Sequence, residues 1–227
     1  MCGRFAFHSP HETVVQLFLI AEPAPSIAPS WNITPTRVVA AVRSDAGGQR
    51  SLVGLRWGLV PAWAKDVAIG ERLINARAET LAEKPSFRTA FRRRRCLVLA
   101  DGWYEWRAGP AGKQPYYIRS ASGEPFGMAG LWESWRGTGE APLETCVIIT
   151  RPAAESIRPI HERMPALIGR AAHGAWLDPH AEDPAALAAL LAADPQLPLA
   201  AHPVSRRVNS PRNDDPELTV PAADKLS

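Results

Sequence analysis

The chain has little cysteine, little net charge and no long apolar run, and each shortage closes off a class of protein. Its only cysteines are Cys2, Cys96 and Cys146. No two of them form a CxxC pair and no histidine spacing completes a zinc set, so neither a zinc site nor a disulfide framework is expected. An odd cysteine count without a signal peptide fits a reducing cytoplasm. No apolar run reaches the roughly 18 residues of a membrane-spanning helix. No repeat with a period of about 20–50 residues is present, which argues against a solenoid or propeller. The net charge is only +3 over 227 residues. That is too little for a histone-like binder, although a local basic groove remains possible.

What is present is ordinary in bulk and unusual in detail. Hydrophobic residues make up 46% and charged residues 22% of the chain, the proportions of a soluble globular protein. Proline is abundant, with 22 residues, about twice the typical share of ~5%, which predicts many turns and short elements. MCGRFAF reads as a strand. Ser9-Pro10-His11-Glu12 reads as a capping box with proline at the first helical position, opening a helix whose apolar face carries Val14, Val15, Leu17 and Phe18. Residues 37–43 and 51–55 predict a hairpin across the turn Asp45-Ala46-Gly47-Gly48. Residues 56–61 are strand-like and end in a Pro/Trp loop, and residues 85–91 predict a short helix. Strands follow at 96–100, 116–118, 126–132 and 146–150. Helices are expected within 170–177 and 184–192, the second capped by Asp183 with Pro184 in its first turn. The pattern predicts an α+β fold: a single domain over residues 1–227 with a curved, barrel-like β core and a few short peripheral helices. Residues 212–227 form a polar tail whose end is expected to be disordered.

Met1-Cys2-Gly3 is the stretch with the most chemistry. A cysteine at position 2 is small enough for Met1 to be removed, and an N-terminal cysteine carries an amine and a thiol on adjacent carbons. In unperturbed form these titrate near ~7.7–8.0 and ~8.5. The amine can form an imine with an aldehyde, after which the thiol closes a thiazolidine. Alternatively the amine can act as base for its own thiol, as in N-terminal-nucleophile hydrolases, or the cysteine can simply fold away as a small hydrophobe.

Other polar residues stand in apolar company. Glu105, between Tyr104 and Trp106, should be desolvated and so hold its proton more tightly, which suits acid/base work; an arginine partner is the structural alternative. Asn75 and Arg77 alternate along an extended segment and so share one face. The first can orient a carbonyl or an amine, and the second can clamp a phosphate. His161, in His161-Glu162-Arg163-Met164-Pro165, can shuttle protons near neutral pH, although a lone histidine is more often structural. Trp63, in the loop before Lys65, can stack on a nucleobase. Arg4 and the run Arg92-Arg93-Arg94-Arg95 can reach phosphates, whereas a charge run is commonly only a solvated face. His173, His180 and His202 read as structural or exposed.

The blocks MCGRF (1–5), WNITPT (31–36), RWGLVPAWAKD (56–66), INARAET (74–80), FRRRRCLVLADGWYEW (91–106), AGLWE (129–133), HERMP (161–165) and VSRRVN (204–209) occur in order along the chain. Together they resemble the SOS response-associated peptidase family, the abasic-site processing proteins. The resemblance implies a protein that binds single-stranded DNA, or a single-strand/duplex junction, at an abasic site. Carried over by position, Cys2 is the crosslinking residue, with Asn75, Glu105 and His161 completing the catalytic site. Arg4, Arg77 and Arg163 match phosphate-holding positions, and Trp63 lies in the loop that wedges against bases. The tryptophan before Asn32, where tyrosine is commoner, is a mild departure with no catalytic consequence. No cofactor, no metal and no membrane partner are implied, and a monomer is expected, cytoplasmic and associated with the nucleoid if bacterial. A weak lyase side reaction and autocatalytic removal of Met1 belong to the same expectation. Two other readings stay open from the residues alone. One is a class II glutamine amidotransferase, whose mature chains also begin Cys-Gly; the other is a binding module for single strands that makes no covalent bond.

Overall fold

Short apolar runs punctuated by proline and glycine become, among the described residues, thirteen strands and four short α-helices. The computed structural model describes residues 2–21, 23–110, 112–137 and 141–222. The strands are β1 (Phe5–Phe7), β2 (Ser30–Ile33), β3 (Val38–Ser44), β4 (Arg50–Trp57), β5 (Asn75–Arg77), β6 (Arg95–Ala100), β7 (Gly102–Arg107), β8 (Gln114–Ser120), β9 (Phe126–Trp135), β10 (Leu143–Pro152), β11 (Arg163–Pro165), β12 (Leu167–Ile168) and β13 (Leu199–Pro203). The helices are α1 (His11–Phe18), α2 (Arg88–Arg93), α3 (His173–Leu177) and α4 (Pro184–Ala192).

The core is a closed barrel of β4, β3, β6, β9 and β10. The expected hairpin forms as β3–β4, its register running from Val38 opposite Arg56 to Ser44 opposite Arg50. Its turn forms because the Asp45 Oδ1 accepts from the Gly47 and Gln49 amides, both at 2.9 Å. Closure comes at β10, which pairs antiparallel with β9 and parallel with β4. β6 is buried at every residue, as an apolar run covered on both faces must be. Leu97 and Leu99 sit in this core fully buried, so truncating either to alanine costs about 2–5 kcal/mol.

A second sheet, ordered β13-β8-β7-β1-β2, packs alongside. β6 runs into β7 through the buried Asp101, so a single strand-to-strand corner carries the chain from barrel to sheet. The next residue must be glycine: a Cβ on Gly102 would lie 2.4 Å from the Tyr117 ring. Gly58 also requires glycine, with φ +127 and a Cβ that would lie 2.6 Å from the Gly70 carbonyl. There the chain leaves β4 and starts the loop that bears Trp63.

Three local expectations are corrected by partners distant in sequence. Helix α1 begins one residue later than expected, with Pro10 at the cap and no side-chain cap bond. Ser9 does not cap it, because its amide and hydroxyl both donate to Asp101, which also accepts from the His8 amide at 2.6 Å. Arg95, last of the arginine run, is buried and donates to the carbonyls of Phe91, Arg92, Trp176 and Asp178. Arg94 pairs with Glu133 at 2.8 Å and Arg93 with Glu182 at 3.2 Å, so most of the run ties α2 to its surroundings. Residues 212–222, polar as read, are nevertheless pinned. Asp214 accepts from the Trp31 amide at 2.6 Å and the Ser30 hydroxyl at 2.8 Å, and Leu218 is fully buried. The expected disorder at the very end falls on residues 223–227, outside the described residues. Asp183 caps α4 as expected, accepting from the Ala185 amide at 3.0 Å. No helix among the described residues is long and apolar enough to cross a membrane.

Candidate functional site

The strand register brings the N-terminus to Glu105. β1 pairs antiparallel with β7, Phe5 opposite Trp103 and Ala6 opposite Gly102, and the Tyr104 amide continues the ladder to the Arg4 carbonyl at 2.9 Å. The same register, extended, sets Gly3 opposite Glu105. Cys2 therefore reaches the site from one side, fully buried. From the other side comes β5, held against β10 in parallel with Asn75 opposite Ile148 and Arg77 opposite Thr150. Its entry is fixed by the indole of Trp57, which donates to the Ile74 carbonyl at 2.8 Å. The Asn75 amide then donates to the Cys2 carbonyl at 2.7 Å. Its other polar atom, Oδ1, is buried with no partner among the described residues.

Burial governs the charges here. It raises the pKa of the Glu105 carboxyl, and the nearby His161 opposes that rise. Only 2% of Glu105 is exposed, so this acid keeps its proton to a higher pH than a free glutamate. Burial also pushes the Cys2 thiol well above the ordinary cysteine range, the Glu105 charge adding to the effect. The thiol is therefore a neutral S–H in this state, and the near-neutral titration expected of an unperturbed thiol does not apply.

His161 stands in the turn between β10 and β11, its Nε2 3.9 Å from the Glu105 carboxylate. Its Nδ1 lies 3.0 Å from both the amide and the carbonyl of Arg163. When Nδ1 accepts from that amide, the ring proton of neutral His161 sits on Nε2, facing Glu105. The β10–β11 register sets Arg163 opposite Pro152, from where its side chain reaches Thr150, whose carbonyl accepts from Nη2 at 2.7 Å. The same guanidinium grips Glu79 in a fork, at 2.7 and 3.1 Å, and this contact lowers the Glu79 pKa. Arg77 is exposed on the neighbouring strand, opposite Thr150. Three strands thus bring Arg77 and Arg163 to the two sides of one residue.

A cavity of about 360 Å³ opens over Glu105 and His161, lined also by Trp106 and Lys113. Trp106 had a signal in the sequence, as the aromatic next to Glu105. Lys113 had none, since it sits in the β7–β8 loop far from any motif. Thr150 and Glu79 also escaped the sequence reading, because nothing local marks a side chain that meets an arginine from another strand. A second cavity, about 550 Å³ and bounded by Phe18, Phe126, Leu167 and His173, is larger but contains none of the site residues, so chemistry and not size selects the site.

Trp63 is 60% exposed in a loop held by the Trp135 indole, which donates to the Ala64 carbonyl at 2.7 Å. It flanks a separate hollow with Ile69 and Arg72. Arg4 is not gathered into the cluster: its Nη1 donates to Asn32 Oδ1 and to the Val208 carbonyl, both at 2.7 Å.

Residues 1–211 match the family described as SOS response associated peptidase (SRAP). The chain belongs to this family. Among its relatives, abasic site processing protein YoqW of Bacillus subtilis (strain 168) is 42% identical over 221 residues, covering 96% of this chain and 98% of that protein. Abasic site processing protein HMCES of Gallus gallus is 40% identical over 205 residues, which span 79% of this chain and 60% of the longer protein. A crystal structure of a protein from Bacteroides thetaiotaomicron superposes with a TM-score of 0.85 over 98% of this chain and 100% of its own, at 25% identity. The barrel-like β core expected from the sequence is present, and the five-stranded sheet beside it adds to that expectation.

Proposed function

We propose that this SRAP protein processes abasic sites in DNA by capturing them covalently on Cys2 once Met1 is gone. The observation that carries the reading is the meeting of a buried Cys2, the Asn75 amide on its carbonyl and a buried Glu105 in the register that sets Gly3 opposite it. Chemistry at a bare N-terminus needs that end held still, a carboxylic acid kept protonated beside it, and room for a sugar. The names of the relatives supply the lesion.

The ring-opened abasic sugar presents an aldehyde. The Cys2 amine adds to it to give a carbinolamine, and Glu105, holding its proton by virtue of burial, donates to the departing hydroxyl so that water leaves and an imine remains. The neutral Cys2 thiol then adds across the C=N bond, its proton passing to nitrogen, and a thiazolidine closes with no further loss of atoms. A buried neutral thiol suits this order, because the amine and not the sulfur makes the first bond. Asn75 fixes the backbone that carries the amine, and His161 exchanges protons with Glu105 or stabilises the opened sugar hydroxyl. Elimination from the imine before ring closure is the lyase side branch. The same acid and amide would assist the removal of Met1 by the protein itself.

Arg77 and Arg163 flank Thr150 and would hold phosphates on either side of the lesion, with Trp63 stacking on a neighbouring base. Single strands are the preferred substrate in this reading, since a 360 Å³ hollow beneath Trp106 and Lys113 takes an extruded sugar more readily than a stacked duplex step.

The test mixes the purified protein with an oligonucleotide carrying one abasic site and separates the products on a denaturing gel. A shifted band that survives denaturation, disappears with Cys2→Ala and is prevented by prior reduction of the aldehyde is the expected result. Binding that vanishes on denaturation would instead mark a non-covalent single-strand module. Glutamine hydrolysis without a DNA band would mark an amidotransferase.

A further inference from the structure

The partners of its side chain separate Arg4 from the chemistry: Cys2, two residues earlier and outside β1, packs into the barrel core, whereas the Arg4 guanidinium reaches Asn32 and Val208. Successive side chains of a strand point to opposite faces. On the second sheet, Phe5 and Trp103 face the barrel core, whereas Ala6 and Tyr104 belong to a smaller cluster with Tyr117, Val204, Val208 and Leu218. Glu105 shares the parity of Trp103 and faces Cys2. Arg4 shares the parity of Ala6 and lies on the back, where burial lowers its pKa from the ordinary arginine value.

On that face it is bonded into a crosspiece. Its Nη1 donates to Asn32 Oδ1 and the Val208 carbonyl. Asn32 is fully buried, and its own amide donates to the carbonyls of Ser210 at 3.0 Å and Asn213 at 2.6 Å. Thus the C-terminal segment 208–213, the WNITPT strand and the N-terminal strand meet at one amide and one guanidinium. A free N-terminus ordinarily frays. Here Cys2 is fastened at its carbonyl by Asn75, and two residues later the chain is fastened again at the Arg4 carbonyl by Tyr104 and at the Arg4 side chain by Asn32.

We propose that Arg4 is a positioning residue, held on the back of the second sheet by Asn32 and the Val208 carbonyl, which keeps Cys2 at its reacting place and takes no DNA phosphate. The inference rests on the capture reading above and departs from the phosphate role that the family resemblance assigns to Arg4. A guanidinium whose Nη1 is committed to two neutral oxygens, and whose Nε is buried where no solvent reaches it, holds the backbone in register at the residue after Gly3. Misplacing a reacting group by about 1 Å costs on the order of 10²-fold in rate, so the loss of this anchor should appear in the chemical step and not in DNA affinity.

The experiment compares the wild-type protein, Arg4→Met and Asn32→Ser, each confirmed by mass to lack Met1 and checked by a thermal melt. Affinity for an undamaged single strand is measured against salt, and the capture rate is measured with saturating abasic oligonucleotide. For Arg4→Met the expected result is an unchanged affinity and salt slope with capture slowed by about 10²-fold. For Asn32→Ser, which keeps the Arg4 charge, capture is slowed about tenfold, as befits one charge-assisted hydrogen bond. This variant carries the test alone if Arg4→Met does not fold. A salt slope shallower by about 0.7 in Arg4→Met, the signature of one lost phosphate contact on a single strand, would overturn the proposal. So would a wild-type capture rate in either variant. No covalent product from the wild-type protein would sink the capture reading itself; normal wild-type capture with unaffected variants sinks only the role given to Arg4.

Discussion

The arginine run at the end of α2 and the cleft around Cys2 are both rich in polar groups drawn from several elements, and they treat those groups in opposite ways. Arg95 is buried with its donors directed at four carbonyls. In the cleft, Asn75 Oδ1 and Arg163 Nε are buried with no partner among the described residues, while burial raises the pKa of a carboxyl and of a thiol. A protein interior ordinarily satisfies its polar atoms. The region that does so is architecture. The unused capacity in the cleft, beside a cavity, supports the reading proposed above, in which the cleft receives the sugar. The denser patch of positive charge in the sequence is therefore not the better candidate for binding DNA.

The contrast can be broken most forcefully at Arg95. Arg95→Met removes the donor from the buried Phe91 and Trp176 carbonyls and from the partly exposed ones of Arg92 and Asp178, and each buried group left unsatisfied costs about 1–3 kcal/mol. The expected loss is a large part of the ~5–15 kcal/mol that keeps a domain folded, read as a marked fall in the urea midpoint. An Arg95→Met protein as stable as wild type would mean that the run is not structural.

Glu105→Gln should act the other way round. Capture is expected to slow by about 10²–10⁴-fold, the usual worth of a positioned general acid, while stability at neutral pH rises. The sign follows from the raised pKa: the folded state holds this proton more tightly than the unfolded chain, so wild-type stability falls as pH rises from the unfolded value of ~4.3 through the raised folded one. The glutamine variant lacks that decline, which urea melts at a series of pH values would reveal. If both proteins lost stability equally over that window, Glu105 would not be the strained acid described here.

Smaller effects belong to the exposed arginines. Arg77→Ala should reduce the salt slope of single-strand binding by about 0.7, one phosphate contact, and leave the melting temperature nearly unchanged. Arg92→Ala, at the exposed start of the run, should alter stability by no more than about 0.5 kcal/mol and leave the salt slope as it was. Equal slopes for Arg77→Ala and wild type would move the DNA path away from β5.

How much of this was legible depended on how local the cause was. The β3–β4 hairpin and helix α4 could be read because Asp45 and Asp183 bond to amides two to four residues away. The Ser9 cap was misread because Asp101, more than ninety positions on, competes for it. The bond from Arg4 to Val208, 204 positions away, lay beyond the reach of any pattern. The site was legible in part by chemistry: an N-terminal cysteine, a glutamate among aromatics, and an asparagine alternating with an arginine. Their assembly was legible only through the resemblance to the SRAP family, since no spacing indicates that β1 and β5 approach Glu105 from different sides. The neutral state of the Cys2 thiol was not legible at all, because burial is a property of the finished fold.

The most direct test of the account is mass spectrometry of the protein after incubation with an abasic-site oligonucleotide, followed by digestion to locate the bond. The account predicts a species lacking Met1, whose mass is that of protein plus oligonucleotide minus one water, with the attachment on the peptide that begins at Cys2. An adduct carried instead by Lys113 or another lysine, or no adduct on protein from which Met1 has been removed, would contradict it.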